Sequence, residues 1–380
     1  MGSSLSFASE LNRLRFPVEA TRGRLYPEEA HPYRNDFQRD RARIVHSRAF
    51  RRLENKTQVF SPGRFDHFRN RLTHTIEVTQ IARTVASVLG LNEDLTEALA
   101  LAHDIGHPPF AHSGEEELNR QMAAFGDRFD HNLHALRMVV SFEQRYASYR
   151  GLNLTFEVRE GIVKHSRDIP AKDAALLCEY LPALRPPLEA QLIDLADEVA
   201  YNTADLDDGF AARFVTIAEV TREIPHYAEF RHEVEALYPQ TNEKTVFQEV
   251  LRRLVDTLTS GLIEGTARAA LESGVANTAD VRNYPARLVR MESPAAEINA
   301  ALKTFLRAHV YFTPSLVLER EEAMRHIAEL FHFYLDRPEA LPENYRREAE
   351  RAPLHRVVCD YIAGMTDGYF RRVYEKSFSR

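Results

Sequence analysis

Hydrophobic side chains recur at helical spacing along most of this chain. In residues 71–90, Leu72, Ile76 and Val85 follow that spacing, and Gly90 comes next as a helix C-cap. A second helix, over about 94–106, is capped by Asn92 and Asp94 and ended by Gly106 with Pro108 and Pro109. The same periodicity predicts helices over about 129–143, 157–166, 188–207, 243–272 and 317–336.

Strand signals are weak by comparison. We find no convincing period-2 segment, no internal repeat and no long linker, and only residues 59–70 suggest a short hairpin or loop. The sequence therefore predicts an all-α (mainly α) fold. We divide it into an N-terminal extension (1–33), a core (34–215) that holds nearly all the chemically suggestive residues, and an additional C-terminal helical region (216–380) packed on the core.

Composition places the chain among ordinary globular proteins, with 44% hydrophobic and 28% charged residues in a total of 380. No apolar run approaches the roughly 20 residues that a membrane span needs. The first residues, MGSSLSFASE, lack the pattern of a signal peptide. Cys178 and Cys359 are too few for a disulfide framework. We therefore expect a cytoplasmic protein with no membrane partner.

Charge is distributed unevenly, although the net charge of −7 gives no sign of wholesale nucleic-acid binding. Basic residues crowd the segment from Arg34 to Arg71, and acidic residues collect between Asp194 and Asp208. Each cluster alone is typical of a solvated face. Together they could converge on one site, where the acidic residues hold cations and the basic ones hold anions, as a phosphate substrate with a metal requires.

Histidines cluster in the first half of the chain. Within about 32 positions lie His103, Asp104, His107, His112, His131 and His134, and His74 lies one helix earlier. Imidazole and carboxylate ligands together suit Zn, Mn, Fe or Ni. The isolated histidines are predicted to be ordinary satisfied polar residues: His31, His46, His165, His226, His232 and His355.

His103 and Asp104 are adjacent in sequence, so on a regular helix they would point about 100° apart. They can share a metal near a helix end, which Gly106 and the following prolines supply. His103 and His107 also have the i, i+4 spacing of a zinc-protease helix. That alternative is rejected, because it needs Glu where Asp104 stands and because Gly106 and Pro108 break the helix.

The acidic helix supplies further carboxylates. Asp197, Tyr201 and Asp205 are spaced i, i+4 and i+8, which places them within about 80° of one helix face. Apolar residues such as Leu192 and Val199 partly alternate with them, so the helix is predicted to be packed. Buried carboxylates must be paired or metal-bound. A single acid here could be a capping or salt-bridge residue, but the face as a whole favours function.

These segments resemble the HD superfamily, and more narrowly its deoxynucleoside-triphosphate triphosphohydrolases, the dGTPase-like group. The resemblance is carried by RLTH (71–74), HDIGHPPFAHSGEE (103–116) and ADEVAYNTAD (196–205), and residues 34–60 are similar to the N-terminal signature of that group. The ordered set is specific, although the letters HD alone are not. It implies an HD-domain helical fold, with 34–215 as a metal-dependent phosphohydrolase core.

The resemblance also implies roles for individual residues. The metal ligands are His74, His103, Asp104 and Asp197; the catalytic polar residues are His107, His112, Glu115 and His131; the substrate-binding residues are Gln58, Arg71, Tyr201 and Asp205. Arg71 would contact the phosphates. Tyr201 would stack against the deoxyribose, where a 2′-hydroxyl would clash with it, and Gln58 and Asp205 would bind the 3′-hydroxyl. His134 has no such counterpart and is predicted to lie on the helix surface or behind the site.

The implied reaction is hydrolysis of a deoxynucleoside triphosphate (dGTP-like) to deoxynucleoside and inorganic triphosphate. Glu115 and His131 would orient or deprotonate water, and His112 would protonate the 5′-oxygen. His107 and Arg71 would stabilise phosphate charge. Glu198 stands where some relatives carry a phosphate-binding lysine, so another basic residue is expected to replace it.

The cofactor is expected to be a divalent metal ion (Mn, Mg, Fe, Co, Ni or Zn). Expected partners are deoxynucleoside triphosphates, as substrate and as allosteric activator, a second copy in a homo-oligomer, and single-stranded DNA as an effector. Arg48, Arg51, Arg52 and Lys56 could contact the triphosphate, an allosteric nucleotide or a neighbouring subunit, or be solvated. Two alternatives remain: an HD phosphohydrolase for another phosphoester such as a nucleoside monophosphate, and a nucleotide sensor. The aromatics of 302–313 and 319–335 are predicted to be packing residues.

Overall fold

A computed structural model describes residues 10–59 and 68–378. The α-helices of these residues are α1 (Asp36–Val45), α2 (Arg48–Arg52), α3 (Arg71–Leu89), α4 (Glu93–Ala102), α5 (Ala111–Ala123), α6 (His131–Arg137), α7 (Phe156–Val163), α8 (Leu188–Ala211), α9 (Ile217–Glu223), α10 (Tyr227–Leu237), α11 (Glu243–Glu272), α12 (Thr278–Asn283), α13 (Ala295–Leu306), α14 (Pro314–Asp336), α15 (Glu343–Ala349), α16 (Leu354–Ala363) and α17 (Asp367–Phe378). In place of strands, these residues form two isolated bridges, Arg24 with Thr155 and Thr57 with Asn70. The predicted all-α fold is confirmed.

Helix α3 carries the first of the candidate site residues and has a defined start and end. Asn70 accepts a hydrogen bond from the Thr73 N–H, and the Thr73 hydroxyl accepts one from the Asn70 N–H, which forms a capping box. Gly90 ends the helix at φ 70°, the left-handed conformation that glycine adopts without strain. The predicted span of 71–90 is therefore confirmed.

Helix α8 is the central helix of the main core. It packs against α3, α4, α11 and α13. Leu192, Ala196, Val199 and Leu206 are buried there, and full burial of a leucine or valine side chain contributes about 1.5–3 kcal/mol. The apolar face of α8 therefore fixes the helix rotation, and the acidic face is left to point into a cavity.

The C-terminal helices contribute to two different cores. Helices α11 and α13 join the main core through α8, whereas α14, α16 and α17 form a second hydrophobic cluster with α5. In that cluster Phe331, Val358 and Phe370 pack with Leu118 and Met122 of α5. Helices α14, α16 and α17 are thus anchored on α5, which follows the His107 loop. The domain boundaries at 33/34 and 215/216 stay predictions.

Several helix ends differ from the sequence prediction. Helix α4 ends at Ala102, so His103 and Asp104 lie just past its end instead of inside it. Asn92 caps α4, but Asp94 instead accepts hydrogen bonds from Asn35 and Gln38. The predicted helix 129–143 is split into α6 and a π-helical turn at 138–142. Most of the predicted hairpin or loop at 59–70 lies outside the described residues.

Among the described helices, none combines the length and apolarity that a membrane crossing requires.

Candidate active site

A cavity of about 1690 Å³ opens between the two halves of the chain. One wall comes from α3, α8 and the loop that joins α4 to α5. The opposite wall comes from α13, α14 and α17 of the C-terminal half. Ten of the twelve predicted site residues line this cavity. The other two lie directly behind its wall: Glu115 against His131, and His103 against His74 and Asp197.

Three predicted metal ligands meet at the base of the cavity. His74 from α3, His103 from the end of α4 and Asp197 from α8 each offer a ligand atom, and these atoms lie within 4.8 Å of one another. Asp197 Oδ1 is 2.8 Å from His74 Nε2 and 3.8 Å from His103 Nε2. Both imidazoles are buried, while Asp197 is partly exposed to the cavity. Two histidines and a carboxylate at this spacing suit a first-row divalent ion.

The hydrogen bonding of His103 supports this assignment. Its Nδ1 lies 2.6 Å from the carbonyl oxygen of Ala100, a contact that requires Nδ1 to carry the proton. The lone pair of Nε2 then faces the other two ligands, and Nε2 is buried with no hydrogen-bond partner among the described residues. A buried polar atom without a partner needs an explanation, and a bound metal ion supplies one.

Asp104, the fourth predicted ligand, lies next to these three residues but is turned away from them. Its carboxylate oxygens are 2.7 Å from Arg71 Nη1, 3.1 Å from His107 Nδ1 and 3.7 Å from His103 Nε2. Burial raises the pKa of Asp104, but Arg71, His107 and His103 outweigh burial and hold it well below its usual value. Asp104 is therefore an anion that already balances Arg71 and can also serve a metal.

Burial and neighbouring charges also shift the pKa values of the three ligands. Burial raises the pKa of Asp197, but the hydrogen bond with His74 and the nearby imidazoles lower it to about 2. Burial lowers the pKa of His74, but Asp197 outweighs it and raises the pKa. For His103, burial prevails over Asp104 and Asp197 and the pKa is lowered. Protonated His74 thus pairs with ionised Asp197 through one proton, and a bound metal ion would replace that proton.

A second polar group lies beside the metal ligands. His131 at the start of α6 donates its backbone N–H to Glu115 Oε1 at 3.0 Å, and its Nδ1 lies 2.8 Å from that oxygen. Burial raises the pKa of Glu115, but His131 and His107 lower it below its usual range. His107, Glu115 and His131 also offer ligand atoms within 4.8 Å of one another, and of these Glu115 and His131 are hydrogen-bonded to each other.

His107 and His112 complete this group. The ring centroid of His107 is 4.0 Å from that of His131 and 5.7 Å from that of His112. Burial and the Arg71 charge lower the pKa of both His107 and His112. Both are therefore neutral at pH 7 in the free protein, and His112 faces the open cavity, where an anionic ligand would raise its pKa again.

Gln58, Tyr201 and Asp205 all line the cavity. Asp205 accepts a hydrogen bond from the hydroxyl of Tyr311. Burial raises the pKa of Asp205 to about 7, because Tyr311 and His74 only partly oppose it. Gln58 Oε1 is buried with no hydrogen-bond partner among the described residues, so it is free to accept from a ligand. The three predicted sugar-reading side chains thus line the same cavity, and their role stays a prediction.

Sequence reasoning missed the contribution of the C-terminal half. Lys303, Arg307 and Tyr311 line the cavity, and so do Phe312 and Arg320. Tyr311 packs against the main core, as predicted for the aromatics of 302–313, but its hydroxyl also reaches Asp205 in the cavity, which was not predicted. The available signal was the four-residue repeat of Lys303, Arg307 and Tyr311. Their partners lie about a hundred positions earlier in sequence, so nothing local revealed them.

Glu198 is another residue whose partner lies in the C-terminal half. Its carboxylate is 2.6 Å from Lys303 Nζ and accepts a hydrogen bond from Asn299 at 2.8 Å. The acidic residue at this position thus holds a lysine of α13 at the edge of the cavity. From the sequence, another basic residue was expected to replace the phosphate-binding lysine of some relatives, and Lys303 lies in a suitable position for that role.

Most of the basic segment serves the fold rather than the site. Arg43 donates to the carbonyls of Leu152 and Asn153, and Arg69 pairs with Asp207 and Asp208. Among the described arginines of the segment, only Arg71 pairs with a candidate metal ligand. Lys56 is buried behind the cavity and donates to the carbonyl of His107. Arg48 and Arg51 are exposed, and Arg52 is half-buried.

The surroundings of His165 and His134 agree only in part with the prediction. His165, predicted to be an ordinary satisfied residue, is indeed paired with Asp194 at 2.9 Å, yet it also lines the cavity with its ring 5.3 Å from His103. His134 is not on the helix surface. It is buried, and its Nδ1 lies 3.6 Å from Asp360 Oδ1.

Comparison with known proteins agrees with this geometry. Residues 71–202 match the HD domain family, and residues 289–376 match the phosphohydrolase-associated domain. The first match contains all four predicted metal ligands, and the second contains the helices that form the opposite wall of the cavity. HD domains bind divalent metals through such His and Asp groups.

Relatives with high similarity share one description, "Deoxyguanosinetriphosphate triphosphohydrolase-like protein". The chain is 44% identical to that of Azoarcus sp. (strain BH72) over 373 residues, which is 98% of this chain and 97% of the relative. It is 42% identical to that of Geobacter sulfurreducens, covering 93% and 92%, and 43% identical to that of Bordetella pertussis, covering 100% and 97%. At this identity and coverage, the chain belongs to the deoxyguanosinetriphosphate triphosphohydrolase-like family of HD-domain hydrolases.

Proposed function

We propose that this protein hydrolyses deoxynucleoside triphosphates to a deoxynucleoside and inorganic triphosphate. The observation that carries the proposal is that His74, Asp197, His131 and the Asp205–Tyr311 pair line one cavity, with His103 and Glu115 directly behind its wall. A site for phosphate chemistry and a site for a sugar hydroxyl are thus adjacent. The names of the similar proteins support this substrate class.

His74, His103 and Asp197 would hold the metal, with Asp104 as the adjacent carboxylate. A divalent metal bound there lowers the pKa of a bound water and polarises a phosphoryl oxygen. Arg71 stays paired with Asp104 at 2.7 Å, so its remaining N–H groups are held toward the phosphates.

The Glu115–His131 pair would prepare the attacking water. Because Glu115 accepts from His131 Nδ1, the Nε2 atom of His131 is left to accept a proton. The bond that forms joins the water oxygen to the α-phosphorus, and the bond that breaks joins that phosphorus to the 5′-oxygen. The proton removed from water goes to His131.

His112 would deliver a proton to the leaving 5′-oxygen. Its pKa is lowered in the free protein by burial and by Arg71, so it needs the charge of the bound triphosphate to become protonated at neutral pH. His107 and Arg71 would stabilise the negative charge on the phosphates, and Lys303 would contact the outer phosphates.

Gln58 and Asp205 would bind the 3′-hydroxyl, and Tyr201 would lie against the 2′-carbon of the sugar. Tyr311 would lie on the other side of the bound sugar from Tyr201 or beside it, since its hydroxyl donates to Asp205, which binds the 3′-hydroxyl. A ribonucleotide would place its extra hydroxyl against the Tyr201 ring, which cannot accommodate it without displacement. The homo-oligomer, the activating nucleotide and the single-stranded DNA effector stay predictions.

The test is to incubate metal-loaded protein with each dNTP and rNTP, singly and mixed, and to separate the products by ion-exchange chromatography. We expect deoxynucleoside and intact triphosphate. The His103→Ala variant should lose both bound metal, measured by elemental analysis, and activity. His134→Gln is the matched control, because His134 is equally buried but does not line the cavity.

Other results would contradict the proposal. Orthophosphate release, or activity only on monophosphates, would indicate an HD phosphohydrolase with another substrate. Nucleotide binding without turnover, even with all nucleotides mixed, would indicate a sensor.

A further inference from the structure

Asp367, the first residue of α17, reaches from the C-terminal region to the wall of the candidate active-site cavity. It is only 5% exposed. Its Oδ2 accepts the backbone N–H of Thr57 at 2.8 Å and also the Thr57 hydroxyl, while its Oδ1 accepts the backbone N–H of Phe110 at 3.1 Å. One buried carboxylate therefore binds two segments that are far apart in sequence.

Both segments carry candidate site residues. Thr57 directly precedes Gln58, and Phe110 lies between His107 and His112. Phe110 and the next residue, Ala111, adopt left-handed backbone angles with φ of 61° and 55°. Non-glycine residues hold this conformation only when their surroundings fix it. The bond from Phe110 to Asp367 is one such constraint, at the point where the loop turns into α5.

Lys56 adds a second connection at the same place. Its backbone carbonyl accepts the N–H of Arg71 at 3.2 Å, and its buried ammonium donates to the carbonyl of His107. Asp367 is among the negative charges that favour the ammonium form against burial. Residues 56 and 57 thus connect the start of α3, the loop after Asp104 and the start of α17.

We infer that Asp367 is a positioning residue, through which the C-terminal region holds Gln58 in register with the His107–His112 loop. The roles of Gln58 and His112 rest on the proposed function, but the connection itself is a property of the fold. It gives residues 289–376 a specific task in this enzyme beyond forming the second wall of the cavity.

The chemistry requires a carboxylate at this position. Three donors converge on two oxygens, and two of them are backbone N–H groups, which cannot accept a hydrogen bond. An Asn side chain would offer one oxygen and one NH₂ group, so the NH₂ would face either the Thr57 N–H or the Phe110 N–H. One of these two N–H groups would lose its acceptor whichever way the amide turned.

The first test compares Asp367→Asn with Asp360→Asn, both in the full-length, metal-loaded protein. Asp360 is a matched control, since it is 4% exposed, lies on α16 in the same hydrophobic cluster, pairs with Arg137 and does not line the cavity. We expect Asp367→Asn to lower kcat/KM for the preferred dNTP by about ten- to a hundredfold, as small misplacements of catalytic groups do. Asp360→Asn should retain kcat/KM, and both should retain bound metal.

Selectivity provides a readout that general destabilisation would not change. Because Gln58 would read the 3′-hydroxyl, the ratio of kcat/KM for a dNTP to that for its 3′-deoxy analogue should fall in Asp367→Asn and stay unchanged in Asp360→Asn. Thr57→Val, which removes one donor, should shift the ratio in the same direction by less, and Thr57→Ser, which keeps the hydroxyl, should not shift it.

A third measurement does not depend on the substrate. Amide hydrogen exchange in peptides covering 53–59 and 105–113 should be faster by about tenfold in Asp367→Asn than in Asp360→Asn, because the exchanging N–H groups are those that Asp367 binds. Unchanged exchange in both peptides, or equal acceleration in the two variants, would overturn the inference.

The inference and the proposed function can fail separately. If the wild-type protein does not cleave dNTPs, the proposed function fails and hydrogen exchange alone decides on Asp367. If the wild-type protein cleaves dNTPs and Asp367→Asn matches it in kcat/KM and selectivity, the positioning role fails and the proposed function stands.

Discussion

Asp205 shows how strongly the charge of one carboxyl group depends on its surroundings. Its side chain is buried on α8 and its pKa is raised to about 7, although the Tyr311 hydroxyl and His74 favour the ionised form. In the unfolded chain the same group has a pKa near 3.8. Between these two values the folded protein binds a proton that the unfolded chain releases.

This difference predicts a pH-dependent stability. Because the folded state holds more protons between about pH 4 and pH 7, its free energy of unfolding should fall as pH rises through that range. Asp205→Asn has no such proton. Its free energy of unfolding should therefore rise relative to that of the wild type by up to about 1.4 kcal/mol per pH unit, and the difference should persist above pH 7. Urea unfolding of chelator-treated proteins at pH 5 and pH 8 measures this gain.

Tyr311→Phe is the companion variant. It removes the donor that favours ionised Asp205, so burial acts with less opposition and the fall in stability should continue to higher pH than in the wild type. Parallel stability curves for the wild type and Asp205→Asn between pH 5 and pH 8 would show that Asp205 is ionised throughout.

At the scale of elements, the close approach of α6 to the loop after α4 sets the position of His131. Gly106 makes this approach possible. A Cβ atom at Gly106 would lie 2.1 Å from the carbonyl oxygen of His131 and 2.5 Å from the backbone nitrogen of Ala135. Both are backbone atoms, so a side chain here would push the whole helix away.

We therefore expect Gly106→Ala to reduce dNTP hydrolysis by at least about tenfold, by separating His131 from His107, and to destabilise the protein by about 1–3 kcal/mol. Steady-state kinetics and thermal unfolding check the two effects. Gly126→Ala is the control, since Gly126 has φ 67° with open space around it and its substitution costs about 1 kcal/mol through backbone strain alone. Activity loss equal to that of Gly126→Ala would contradict this explanation.

The helices themselves were largely predictable from sequence, and their ends less so. Helix α3 was found because its periodicity, capping residue and C-cap glycine all agree. Helix α4 ends earlier than predicted, because His103 and Asp104 leave the helix to face α3 and α8, and that tertiary preference has no local signal. The Asp197–Tyr201–Asp205 face was predictable from i, i+4 spacing, whereas Tyr311, which completes it, was not.

At the scale of the whole molecule, the three candidate metal ligands come from three separate helices. A metal bound to His74, His103 and Asp197 would therefore connect α3, α4 and α8, which already pack on one another. Binding to the folded state alone stabilises it, by about 2.7 kcal/mol when the free metal is at a hundred times its Kd.

We predict that chelator treatment lowers the Tm and that adding back Mn²⁺ or another divalent ion restores it. Differential scanning calorimetry with a metal titration measures the effect, which should grow with metal concentration. The Asp197→Asn variant should show little gain in Tm from metal. A wild-type Tm that does not respond to chelator and metal would contradict a metal site between these helices.

The division of the site between the two halves also explains what the sequence could and could not reveal. Residues that follow a recognisable pattern, from Arg71 to Asp205, lie in the first half and were found. Lys303 and Asp367 lie in ordinary amphipathic helices, and their meaning depends on partners up to 310 positions away. Such pairs depend on how α13 and α17 pack in the folded protein, which local periodicity does not encode.

The hydrogen bond between Thr57 and Asp367 has a consequence for synthesis of the protein. Translation proceeds from the N-terminus at about 5–20 residues per second, so the 310 residues between the two partners take about 15–60 seconds to be made. All the candidate metal ligands emerge from the ribosome long before the residue that fixes the loop beside them. Under the proposed function, the nascent chain would thus pass through a period in which its metal ligands are already made while Asp367 is still missing, and full activity on nucleotides would follow only once Asp367 binds Thr57 and Phe110.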